Sequence, residues 1–138
     1  MDIKTFLVAF LSLLSWGIGS FFAKLATNKI GDKAVFWDMI AYAPVVITYS
    51  FIAFKNNLLA AEKTGIIYGL LAGGIGSFGL IFFYVLLTRK DASSAVPLTA
   101  IYPALTAILA FIFLKERLTL VKIIGIILSS IALILLSL

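Results

Sequence analysis

The sequence predicts an all-α, polytopic integral membrane protein with five transmembrane helices, and three observations predict it. Of the 138 residues, 63% are hydrophobic and only 12% charged, against about 45–50% and about 25% in an ordinary soluble domain. A chain this short still exposes much of its surface once folded, so the apolar surplus has no core to hide in. Apolar runs near the roughly 20 residues that cross a hydrocarbon core as a helix occur at 6–26, 34–54, 65–88, 92–114 and 119–138. Cys and His are both absent, which removes disulfides, thiol nucleophiles, the usual zinc and haem ligands and the commonest general base. The expectation is a protein that is not an enzyme and needs no cofactor or metal. The net charge of +5 comes from Lys and Arg placed between apolar runs, so they read as membrane-flanking charges, and no nucleic-acid partner is expected.

The first span carries a small and polar stripe of Ser12, Ser15, Trp16, Gly19, Ser20, Ala23 and Lys24 opposite Leu7, Phe10, Leu14, Phe21 and Leu25. Polar groups exposed to hydrocarbon are expensive, so this stripe should face protein or a wet cavity. Met1 to Lys4 before an apolar run imitates a signal peptide, but no small-residue cleavage site follows, and the span is expected to stay in the mature protein. In the second span Asp38, Tyr42, Val45 and Tyr49 share one face. Asp38 and Lys24 lie at similar depth, and two readings stand: the charges pair, or both are interfacial residues. Trp37 belongs to the interfacial aromatic belt.

The third span aligns Gly65, Gly69, Gly73 and Gly76 with Ala72, small residues at the spacing that permits close helix contact. Gly74, Gly76 and Gly79 satisfy a dinucleotide fingerprint, but inside an apolar helix the match is coincidental. The fourth span gathers Ala95, Thr99, Tyr102, Pro103, Thr106 and Ala110 on one side. Pro97 and Pro103 are expected to kink it and to free backbone carbonyls, which suits either a cavity-lining helix or kinked packing. The fifth span is almost wholly aliphatic, relieved by Gly125, Ser129 and Ser130, and reads as scaffold facing lipid or a second subunit. The connectors are short and carry turn or charge signals, including Gly31 in the first and Asn56 and Asn57 in the second.

Five spans put the termini on opposite sides. Lys4, Lys55, Lys63, Lys115, Arg117 and Lys122 then fall on one side, and Lys24, Lys29, Lys33, Arg89 and Lys90 on the other. With six against five, the excess of Lys and Arg that normally marks the cytoplasmic side is almost nil. Either the protein inserts in both orientations or a partner decides.

From Tyr84 onward the signals follow a specific order. Tyr84 to Leu87 closes a span, Ala92-Ser93-Ser94-Ala95 opens the next, Pro97 and Pro103 follow, then Phe113-Leu114-Lys115-Glu116-Arg117-Leu118-Thr119, then Gly125. Together with Trp16-Gly17 and Lys24 near the start, this resembles the EamA-like domain of the drug/metabolite transporter superfamily over nearly the whole chain. Glu116 matches the family's acid at the end of the fourth helix, for which the resemblance implies a capping role; Asp38 departs from the pattern, standing where such domains often carry Arg.

The resemblance implies half of a ten-helix inverted-repeat transporter, with the substrate path between the halves. An antiparallel homodimer would recreate that architecture, a heterodimer with a paralogous five-helix protein being the next option. The expected function is secondary transport of a small organic solute, such as an amino acid, in the export direction, by alternating access in a prokaryotic inner membrane. The expected lining is Trp16, Ser20, Lys24, Asp38, Tyr42, Tyr49, Tyr84, Thr99, Tyr102 and Thr106. Four-helix multidrug relatives look proton-coupled through an acid in the first helix, and Ser12 to Ser20 holds none, which makes drug export the weaker option. A flippase subunit for lipid or lipid-linked sugar is the other alternative.

Overall fold

The computed structural model describes residues 2–55 and 61–138, every regular element of which is helical. The Asn56–Asn57 turn signal lies outside the described residues. The elements are α1 (Ile3–Ile30), a 3-10 turn (Gly31–Lys33), α2 (Ala34–Phe54), α3 (Lys63–Arg89), α4 (Ala92–Thr99), α5 (Tyr102–Phe113) and α6 (Leu120–Ser137). Three helical stretches are long and apolar enough to cross a membrane, Ile3–Phe54, Lys63–Arg89 and Ala92–Phe113, and Leu120–Leu136 is a shorter apolar helix. At 52 residues the first stretch would run about 78 Å if straight, more than twice a hydrocarbon core of about 30 Å. The break that divides it falls at Gly31.

Gly31 has φ 67° and ψ −153°, a backbone region open essentially to glycine alone. Its N–H still donates to Thr27 O and closes the last turn of α1. At the other end of α1, Asp2 caps the helix, its Oδ1 accepting from the Thr5 N–H at 2.7 Å. That hydrogen bond holds the exposed Asp2 carboxyl below its ordinary range. Capping at Asp2 and the break at Gly31 extend α1 beyond the apolar run at both ends.

The chain divides into two compact units, Met1–Arg89 and Lys90–Leu138. In the first, α1, α2 and α3 contact one another, and the 3-10 turn touches all three. The buried residues of this unit are Ala23 and Thr27 of α1, Ala34 of α2, and Tyr84 and Leu87 of α3. They lie toward the end of α1, at the start of α2 and toward the end of α3. The helices therefore converge there, where alanine lets backbones approach, and large side chains farther along, such as Leu11, Tyr49 and Leu70, are exposed. Lys24 ties this end together by donating from Nζ to Leu87 O at 2.8 Å. Leu87 carries one of the last carbonyls of α3, which lack an intrahelical donor, and a cation there also suits the helix dipole.

In the second unit α4 packs against α6, with Ala95 fully buried. The fourth apolar segment, expected as one kinked helix, is two helices separated at Ala100 and Ile101. Pro97 cannot donate to Ser93 O nor Pro103 to Thr99 O, so the helical ladder loses a bond on each side of the break. The two effects fall six residues apart and together end α4 and restart α5. The Ala100 N–H turns back to Val96 O and Pro97 O, at 3.0 and 3.1 Å. After α5, Lys115 adopts a left-handed φ of 53°, and the Glu116 N–H reaches Ala110 O at 3.3 Å. Glu116 thus closes α5 through its backbone. Thr119 begins α6 as its cap, its hydroxyl accepting from the Lys122 N–H at 3.4 Å.

Candidate functional site: a groove among the first three helices

Because α1, α2 and α3 meet at one end, a groove of about 740 Å³ opens between them. This falls in the usual range for small-molecule sites, about 300–1,000 Å³. Each helix contributes one stripe at helical spacing: Ser15, Trp16, Gly19, Ser20 and Ala23 from α1; Asp38, Met39 and Tyr42 from α2; Ala72, Gly73, Gly76, Ser77, Leu80, Phe83 and Tyr84 from α3. Tyr84, only 3% exposed, lies at the converged end, whereas Trp16 and Tyr42 are 66% and 59% exposed. The groove is therefore closed at one end and open along its side.

Asp38 is the one charged residue of the lining, and no Lys or Arg belongs to it. Asp38 of α2 and Tyr84 of α3 both line the groove, near enough for the charge of the acid to act on the phenol. Ser77 donates to Gly73 O of its own helix at 2.8 Å. Among the described residues no three side chains capable of holding a metal ion gather in one place.

Of the residues expected to line a cavity, Trp16, Ser20, Asp38, Tyr42 and Tyr84 are brought together here. Lys24 and Tyr49 do not line the groove: the Lys24 ammonium sits at the α3 terminus, and the Tyr49 ring packs edge-on against Phe54 at 6.2 Å between centroids. Thr99, Tyr102 and Thr106 belong to the second unit. Thr99 donates to Val96 O at 3.0 Å and Thr106 to Tyr102 O at 3.2 Å. Such back-bonding satisfies a hydroxyl within its own helix.

Gly65, Gly69, Gly73 and Gly76, expected as a packing face, have open space beside them: a Cβ at any of the four would meet nothing within 4 Å. Within the described residues of the Met1–Arg89 unit they make no close helix contact, and Gly73 and Gly76 instead line the groove. The α3 stripe from Ala72 to Phe83 is the part that sequence reasoning missed. Stepping back from Tyr84 by three and four residues passes through Leu80, Ser77, Gly76 and Gly73, a signal that the glycine spacing masked.

The sequence profile described as the EamA-like transporter family matches residues 3–138. The chain belongs to that family. An uncharacterized protein of Methanocaldococcus jannaschii is 32% identical to it over 122 residues, covering 88% of each chain. No solved structure matches. Membership together with the long apolar helices makes this EamA-like protein an integral membrane protein, and its family is one of transporters.

Proposed function

We propose that this EamA-like protein is a secondary transporter of a small organic solute, exporting an amino acid or similar metabolite by alternating access in a dimer of five-span protomers. The observation that carries the reading is the groove, which combines aromatic walls, hydroxyls and one acid and lies open along one side. Apolar walls with a few placed polar groups are what small-molecule sites are built from. An open side calls for a second subunit to seal it before a solute can cross without a leak. The glycines of α3 with no neighbour of their own suit close approach by that subunit.

α1 and α2 count as separate crossings, α4 with α5 as one, and α6, with 18 residues and a length of about 27 Å, as the last. An odd count points successive copies in opposite directions, and the six-to-five charge balance permits both orientations. A pair of identical chains then forms an inverted repeat with its solute path between them. A reporter of compartment fused to the C-terminus should give signal from both sides of the membrane. Signal from a single side would contradict the antiparallel homodimer and favour a paralogous partner. In sealed vesicles the expected result is accumulation of a water-soluble solute; movement of labelled lipid between leaflets, with no solute flux, would favour the flippase alternative.

A further inference from the structure

We infer that the groove receives the protonated amine end of its solute, with the Asp38 carboxylate as counter-charge and the rings of Trp16 and Tyr42 as flanking walls. The inference rests on the reading of this groove as the solute site and names the chemistry it selects.

The lining carries one formal charge, and it is negative. Asp38 is half-buried, so an approaching charge is screened less than in bulk water. Its carboxylate, on the groove lining, has about four acceptor positions to offer an ammonium donor. The faces of Trp16 and Tyr42 attract a cation through the ring quadrupole, and both rings are accessible from the open side. For an anionic head group each of these features is reversed: the carboxylate repels it, and the ring faces do too. A neutral solute of the same shape gains the apolar walls but not the charge. Ser15 and Ser20, on the α1 stripe, offer hydroxyls to a further polar group of the solute.

The test uses the full chain in nanodiscs of neutral phosphatidylcholine. The protein has two tryptophans, so Trp37→Phe leaves Trp16 as the sole indole reporter inside the groove. Binding of 3-phenylpropylamine, 3-phenylpropan-1-ol and 3-phenylpropanoate, which share one body and differ in head-group charge, is followed by Trp16 emission. The amine should bind about tenfold or more tighter than the alcohol, and the acid weakest of the three. Asp38→Asn, which keeps the shape and removes the charge, should bring amine and alcohol to within about twofold of each other. Equal or tighter binding of the alcohol or the acid to the Asp38 protein would overturn the inference, and so would an amine preference that survives Asp38→Asn. The wild-type series decides the matter even where the Asn variant does not fold. If the amine binds with this preference but crosses no vesicle membrane, the transport reading fails and the inference stands; if flux of a neutral solute is found without any amine preference, the reverse holds.

Discussion

Replacing Gly73 by Leu is expected to cut solute flux by on the order of tenfold or more, since losing about 1.4 kcal/mol of solute binding costs tenfold in affinity, while the protein remains folded. Gly73 lies on the groove face of α3, and a Cβ there would meet nothing within 4 Å. The leucine side chain therefore grows into the space the solute needs, without forcing α3 away from its neighbours in the same chain. Exchanging an interior glycine for a good helix former also favours the helix by up to about 1 kcal/mol. If Gly73 instead served only as a close contact between helices, Leu would pry the pair apart, and lost thermal stability would accompany the lost flux. Flux into proteoliposomes, measured beside the melting temperature of the same preparation, separates the two outcomes.

The second large effect is on stability. Leu87 is 0% exposed, packed where α1, α2 and α3 converge, and Leu87→Ala should destabilise the protein by about 2 kcal/mol, the low end of the range for a buried leucine. The loss is of packing contacts more than of hydrophobic transfer, because lipid is as apolar as leucine, and dispersion is what holds helices together in a bilayer. Against a typical total of about 5–15 kcal/mol, a change of this size is readily measured by denaturant titration in micelles. Leu70, on the same helix but 71% exposed, supplies the contrast: Leu70→Ala should shift stability by less than about 0.5 kcal/mol. Similar losses at both positions would mean that the convergent end is not where this unit is held together.

Much of the helical layout is legible in the apolar runs, because a run of about 20 apolar residues has few alternatives in lipid. α2 and α6 begin within one residue of expectation, at Ala34 and Leu120. The separation of α4 from α5 was not legible, since Pro97 and Pro103 each suggest a kink and only their combined effect over six residues interrupts the helix. Trp16, Ser20, Asp38, Tyr42 and Tyr84 share the groove because polar and aromatic residues on otherwise apolar helices must turn toward something other than lipid. Lys24 misled for a tertiary reason: its amine reaches the terminal carbonyls of α3, whose position beside α1 no local pattern encodes. The hydroxyls of Thr99 and Thr106 misled for a local one, because back-bonding to Val96 O and Tyr102 O removes the need for water that made them look like cavity residues.

The central claim is that the groove is a wettable, protein-lined site inside the membrane. The native chain has no cysteine, so a single introduced thiol reports without background, and a charged, membrane-impermeant thiosulfonate reacts only where water sustains the thiolate. With Ser20→Cys on the groove lining and Leu70→Cys on the outer face of α3, the prediction is labelling at residue 20, slowed by bound 3-phenylpropylamine, and none at residue 70. Failure of residue 20 to label in any state, or labelling that proceeds equally at both positions, would contradict it.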